Sequence, residues 1–314
     1  MSLSQQQNFH ILSLDGGGSL GVYSLGILEE IANLVGEPLC EKFDLIYGTS
    51  TGSIIGSLIA LGMNVKDISA LYEQYIPKIM SRKNSAGRSK GLRECAETIF
   101  KQQMFDDSSF KTLFCAVATR SDYNRPMVFK SSKSFSRGKA NFKPGFGCKI
   151  SDAIIASCSA YPLFDAHPIE EINGEKVFDG GFVANNPTLY AITDAIKALN
   201  KQEHEIKVLN IGVGAYPSIS TGFLENLFRS SSIGSSFLGM FETTIAANNN
   251  ATEELRKIIF PDVVTFRASG SYTDSKYKTN LIESDRDKLN KIKSLGTEFF
   301  RENQTEIKKI LDID

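Results

Sequence analysis

The sequence has no paired cysteines, few histidines, no long apolar run and no excess of either charge. Its five cysteines, Cys40, Cys95, Cys115, Cys148 and Cys158, are scattered, odd in number and without a C-x-x-C pair. That excludes a disulfide scaffold and a zinc ribbon, and it predicts reduced, mostly buried thiols. The longest apolar stretch, Ile54 to Met63, is about half the roughly 20 residues that span a bilayer. Met1 to Asn8 are polar, with no basic segment ahead of an apolar one, so no secretory signal is read and a cytoplasmic protein is expected. Lys+Arg 35 against Asp+Glu 36 leaves a net charge of −1. This balance argues against a nucleic-acid polymer as partner and against a globally basic membrane binder. What is present is ordinary for a globular protein: 314 residues, 41% hydrophobic and 23% charged. The length fits two units, or one large α/β domain with embellishments.

The N-terminal two thirds alternate between strand and helix patterns. Strands are expected over Phe9 to Leu14, Phe43 to Tyr47, Leu113 to Ala118, Met127 to Lys130 and Ile206 to Val213, with a strand end at Val177 to Asp179. Helices are expected over Leu20 to Leu34, Gly52 to Leu61, Ile68 to Met80, Leu92 to Phe105, Ile150 to Ser157 and Pro187 to Leu199. Such alternation predicts a mostly parallel sheet with helices on both faces. Three stretches interrupt it: Ser81 to Gly91, the basic run Arg120 to Lys149, and the Ser-, Gly-, Phe- and Asn-rich Pro217 to Asn250. Asp285 to Leu311 reads as one long amphipathic helix.

Three short motifs carry chemistry. Gly48-Thr49-Ser50-Thr51-Gly52 follows an expected strand and opens an expected helix, the setting of a nucleophile elbow. The helix start beneath Ser50 favours developing negative charge. Asp15-Gly16-Gly17-Gly18-Ser19-Leu20-Gly21 also sits between strand and helix. Successive glycines can turn backbone N–H groups toward one point, as an oxyanion hole requires. Gly16, Gly18 and Gly21 also satisfy a phosphate-binding G-x-G-x-x-G. However, a dinucleotide site wants an acid at the end of the next strand, where the serine elbow stands. The third motif is Asp179-Gly180-Gly181, followed by Asn185-Asn186-Pro187. An aspartate at a strand end can point into a site, or it can cap a tight turn.

A serine nucleophile needs a base, most often histidine. The three available are His10 in the first strand, His167 beside Pro168 in an expected loop, and His204 in a polar turn. The order Ser50, Asp179, His204 keeps a Ser-Asp-His hydrolase triad open. The alternative is direct proton transfer from Ser50 to Asp179. An ordinary carboxylate is a poor base for a hydroxyl, so this needs burial and a direct hydrogen bond.

Together, DGGGxxG, G-x-S-x-G and DGG in this order resemble the patatin-like phospholipases. Ala156 to Phe164 is similar to that family's small-residue A-x-P-x-x-F stretch. The resemblance covers about Phe9 to Ala215. It implies a three-layer α/β/α fold with a central, mostly parallel sheet. Residues 1–215 would be the catalytic core, and 216–314 a lid or cap segment and a terminal helix packed on the same domain. It further implies Ser50 as nucleophile, Asp179 as base, and Gly16, Gly17 and Gly18 as the oxyanion loop, with Gly17 and Gly18 the principal donors. No cofactor and no metal are implied, and activity would not need calcium. Leu20 departs from the family pattern, which often has Arg or Lys there.

Two features bear on access and control. The basic run Arg120 to Lys149 is a candidate patch for anionic lipid. Phe223, Leu224, Leu227, Phe228, Phe237, Leu238, Met240 and Phe241 are a candidate mobile lid opening onto acyl chains. In length and at Ser19-Leu20 the chain also resembles bacterial patatin-like effectors of cyclic-oligonucleotide antiphage systems. That resemblance implies membrane phospholipid as substrate, met peripherally at the inner membrane, and a cyclic dinucleotide as activator. A constitutive acyl hydrolase is the rival reading, and a homo-oligomer is left open.

Overall fold

A computed structural model describes residues 8–36, 38–106, 108–132, 148–170, 174–217 and 233–313, with side chains in the last segment described from residue 238. The centre is one eight-stranded sheet. Its strands are β1 (Phe9–Leu14), β2 (Leu45–Thr49), β3 (Leu113–Arg120), β4 (Arg125–Lys130), β5 (His167–Ile169), β6 (Glu175–Asp179), β7 (Ile206–Ile211) and β8 (Val264–Ala268). The order is β5-β6-β3-β2-β1-β7-β8, with β4 paired to β3. The five strands from β3 to β8 run parallel, and β4, β5 and β6 run antiparallel to their neighbours.

Alternation along the strands divides the core. On β1 and β2, Leu12, Leu14 and Ile46 face one side, while Phe9, Ile11, Leu45 and Tyr47 face the other. The first side is covered by α1 (Gly21–Val35), α2 (Thr51–Ala60), α3 (Val65–Met80), α4 (Ser85–Phe100), α5 (Ile150–Ser157), α9 (Arg286–Glu302) and α10 (Gln304–Ile310). The second is covered by α6 (Gly181–Ala184) and α7 (Thr188–Lys197). The remaining helix, α8 (Ile233–Ile259), lies against α6 and α7. This is the expected three-layer α/β/α arrangement. The C-terminal third is part of it, because β8 extends the sheet beside β7.

Several expectations are corrected. Ser81 to Gly91 does not interrupt the helices: α4 begins at Ser85, where the Asn84 side chain accepts from Gly87 N–H at 2.8 Å. Pro217 to Asn250 contains the first two thirds of α8. The terminal helix is two helices, α9 and α10, broken at Asn303. His167 lies in β5, not in a loop. The basic run is not one exposed patch. Arg120 pairs with Glu175, and the buried Lys130 ammonium lies 2.6 Å from the buried Asp194 carboxylate. Lys133, Arg137, Lys139 and Lys143 lie outside the described residues, as do Phe223, Leu224, Leu227, Phe228 and the side chain of Phe237. All five cysteines are free, and Cys95 alone of them is not fully buried. Among the described residues, no helix is long and apolar enough to cross a membrane.

Candidate active site

The sheet topology brings the serine and the aspartate together. One edge of β3 is taken by β4 over Cys115 to Arg120, so β2 and β6 share the other edge. β2 runs parallel to β3 and ends with Thr49 opposite Val117. β6 arrives antiparallel and ends with Asp179 opposite Ala118. The two strands therefore meet end to end at adjacent positions of β3, with Ser50 and Asp179 at the junction.

The turn at Ser50 is strained, with φ 52° and ψ −123°. A non-glycine residue holds this left-handed φ only where its surroundings fix it. Gly48 and Gly52 supply the room. A Cβ on Gly48 would lie 2.4 Å from the Gly52 carbonyl oxygen, and one on Gly52 would lie 2.3 Å from that of Leu14. Ser157 holds the turn from below. Its hydroxyl accepts the Ser50 N–H at 3.0 Å and donates to the Val117 carbonyl at 2.6 Å.

Asp179 is buried at 2% exposure. Its carboxylate faces the Ser50 hydroxyl and accepts the Gly181 N–H at 2.7 Å. Burial pushes its pKa up from 3.8 to about 6, while the Ser50 and Gly181 hydrogen bonds oppose the rise. Burial, one of the two conditions that direct proton transfer needs, is met, and the Ser50 hydroxyl is placed beside the carboxylate.

The glycine loop faces Ser50, and its amides differ in what they are free to do. Gly16 N–H donates to the Asn185 carbonyl at 3.0 Å, and Ser19 N–H to the Leu281 carbonyl at 2.9 Å. Leu20 N–H donates back to Gly17 at 3.1 Å. Among the described residues, the N–H groups of Gly17 and Gly18 are bonded to no acceptor. Gly18 has a φ of +54°, and a Cβ there would meet the Leu281 carbonyl oxygen at 2.2 Å. Of the three expected loop residues, Gly17 and Gly18 keep donors available. Gly16 instead gives space, because a Cβ on it would lie 2.5 Å from Asn185 Oδ1 and 3.2 Å from Ser50 Cβ.

None of the three histidines is at this junction. His10 bonds Asp312 at 3.0 Å, and His167 bonds Asp152 at 3.0 Å. His204 is exposed in the short helix Glu203–Glu205 that precedes β7. Since β7 runs parallel to β1 and β2, His204 lies at the opposite end of the sheet, roughly 20 Å or more from Ser50. The Ser-Asp-His triad is therefore excluded by topology.

Other residues at the site are given no positive role from sequence. Asp15, at the foot of the glycine loop, is paired with Arg267 of β8 at 2.7 Å and accepts from Asn210 Nδ2 at 2.8 Å. Leu20 is buried and apolar; the cation paired with Asp15 of the loop comes from β8. Asn185 Nδ2 donates to the Gly16 carbonyl at 3.2 Å, and Tyr72 and Leu281 hold the loop from the other side. The doublet Asn185-Asn186 was visible behind the DGG motif, but nothing local announced its role.

The site opens into a narrow cavity of about 50 Å³. Its walls are aliphatic, with Ile54, Ile76, Ile79 and Leu163 among them, and Phe241, Ile245, Leu281 and Ile282 close onto it. Glu242 of α8 accepts the Leu281 N–H at 3.2 Å, joining two of the closing segments. A hydroxyl beside a buried carboxylate, near two free amides and an apolar cavity, has the parts that acyl transfer needs.

Comparison with known proteins agrees. The patatin-like phospholipase family model matches residues 12–192. The chain is 41% identical over 304 residues to an Escherichia coli cUMP-AMP-activated phospholipase, covering 96% of this chain and 93% of that protein. It is 27% identical over 267 residues to a Pseudomonas aeruginosa cGAMP-activated phospholipase, covering 79% and 74%. Human calcium-independent phospholipase A2-gamma is 25% identical over 330 residues, covering 98% of this chain and 40% of that one. The chain belongs to the patatin-like phospholipase family.

Proposed function

We propose that this chain hydrolyses acyl esters of membrane phospholipids through Ser50 and Asp179, and that a cyclic dinucleotide switches it on. The observation that carries the reading is the Ser50 hydroxyl beside the buried Asp179 carboxylate, where β2 and β6 meet, with the Gly17 and Gly18 amides unoccupied. Ser50 Oγ attacks the ester carbonyl carbon and its proton passes to Asp179. The oxyanion is received by Gly17 and Gly18 N–H. The C–O bond to the lysophospholipid then breaks, and Asp179 returns the proton to the leaving oxygen. Water attacks the acyl-serine, again giving its proton to Asp179, and the fatty acid departs as Ser50 is restored. Asp179 titrating near 6 is a better base than an ordinary carboxylate, yet it is still mostly ionised at neutral pH. No step calls on a metal.

Control is read from the cavity. At about 50 Å³ it is far below the roughly 300–1,000 Å³ of sites that enclose a ligand. We read α8 and the loop at Leu281 as a cap that moves before a lipid chain enters. Exposed Phe182 and Met240 each adjoin a residue of the site, Gly181 and Phe241, and give its rim apolar contacts for a lipid surface. Activation by cyclic dinucleotides in the E. coli and P. aeruginosa relatives supports the same control here, acting at the cytoplasmic face of the inner membrane. A long-chain fluorophosphonate tests the chemistry. Mass spectrometry is expected to find one adduct, on Ser50. Asp179→Asn should suppress it more than tenfold, and His204→Ala should leave it unchanged. Labelling elsewhere, or labelling lost with His204→Ala, would overturn the reading.

A further inference from the structure

Tyr72 is a buried phenol on the wall of the cavity. It lies on α3 one turn before Ile76, and with Ile76 and Ile79 it lines the cavity at Ser50. Its hydroxyl donates to the Gly18 carbonyl at 2.5 Å and is hydrogen-bonded to Thr51 Oγ1. These partners belong to different loops. Gly18 carries one of the free amides, and Thr51 follows Ser50 directly. Because the single phenolic proton goes to Gly18, the Thr51 hydroxyl donates to Tyr72 Oη. Burial raises the phenol above its ordinary range, so it stays a donor at any working pH. Space is kept for the contact: a Cβ on Gly21 would lie 2.6 Å from both Thr51 Oγ1 and Tyr72 Oη.

The Gly18–Ser19 peptide is thereby held at both ends. Tyr72 takes its carbonyl, and its N–H donates to the Leu281 carbonyl at 2.9 Å. The Gly18 N–H belongs to the preceding peptide, whose Gly17 carbonyl accepts the Leu20 N–H at 3.1 Å. With the peptides on both sides of Gly18 anchored, its left-handed conformation and the direction of its N–H are held. We propose that Tyr72 is a positioning residue, a strut that sets the oxyanion donors at their distance from Ser50 through Thr51. The proposal rests on the roles assigned above to Ser50, Gly17 and Gly18. It adds a side chain that touches no reacting atom. A misplacement of about 1 Å at such a site can cost about 100-fold in rate.

The informative variant is Tyr72→Phe, because the ring also walls the cavity off from a shallow cleft beside Glu73 and Arg286. With a soluble short-chain ester, kcat is expected to fall about 10- to 100-fold while KM stays within about twofold. The affinity of a trifluoromethyl ketone, which forms a tetrahedral oxyanion on the serine, should fall by the same factor as kcat/KM. Thr51→Val should reproduce the split, and Thr51→Ser should restore activity to within about threefold. Circular dichroism and melting accompany each variant, and if Tyr72→Phe fails to fold, the two Thr51 variants decide the matter. Unchanged kcat, or a loss confined to KM, would overturn the strut. Hydrolysis that survives Ser50→Ala would instead overturn the assignment of the nucleophile, and the strut with it.

Discussion

Asp179 is pulled in two directions. Burial disfavours its charge, the hydrogen bonds from Ser50 and Gly181 favour it, and burial prevails, leaving a carboxyl that titrates at about 6. Hydrolysis of a soluble ester should therefore be flat above pH 7 and fall tenfold per unit below about pH 6. An acid limb near pH 4 would contradict this. The same shift has a consequence for stability. Between its ordinary value of 3.8 and about 6, the folded state binds this proton more tightly than the unfolded chain does. Asp179 thus costs stability as pH rises through that window, and the cost is complete above it. Asp179→Asn should be inactive, yet more stable than wild type by about 1 to 3 kcal/mol at pH 8. In urea unfolding the gain should vanish below pH 4. Equal stability at pH 8 would show that the carboxylate is not strained by burial. Ser50, Asp179 and the three glycines, the residues proposed for catalysis, were legible in the sequence as candidates because elbow, loop and strand end are each local. Arg267, which neutralises Asp15 from 252 residues away, and Tyr72 were not, because only the folded sheet and helices bring them to the loop.

Among the elements, α1 and α9 cross closely at two glycines. A Cβ on Gly26 would meet the Lys293 carbonyl oxygen at 2.2 Å, and one on Gly296 would meet that of Tyr23 at 2.1 Å. Alanine for glycine inside a helix normally stabilises by up to about 1 kcal/mol. Here the obstructing atom is backbone, which cannot swing aside, so Gly296→Ala should instead destabilise by about 1–3 kcal/mol. Thermal melting with a rise in Tm would contradict the crossing. Helix α8 shows why periodicity misled over Pro217 to Asn250. It meets the body partly through amides and a carboxylate: Asn248 and Asn249 bond Asn185, and Glu253 bonds Asn186. Its Leu255, Ile258 and Ile259 are left exposed. A helix whose inward face mixes Phe241 and Ile245 with Asn248, Asn249 and Glu253, and whose outward face carries apolar residues, blurs the apolar stripe by which a helix is read. At the other end, the apolar spacing carried on past Asn303, but the backbone turns there, so one expected helix is two.

Over the whole molecule, the alternation of strands and helices announced the three layers and the parallel centre. The antiparallel insertion was harder to read, because β5 has three residues and β6 five. Yet it is this insertion that carries Asp179 against the end of β2. The molecule also gathers Ser50, Asp179 and the glycine loop beside a narrow cavity of about 50 Å³, the arrangement proposed above for a latent enzyme awaiting a signal. The most direct measurement is fatty acid release from mixed bacterial phospholipid vesicles with a chelator present. Wild type, Ser50→Ala, Asp179→Ala and His204→Ala would each be assayed with and without a panel of cyclic dinucleotides. The account predicts low release alone and strong release with one cyclic dinucleotide, lost in the Ser50 and Asp179 variants and kept in the His204 variant. Release that survives Ser50→Ala, or that disappears with His204→Ala, would contradict it.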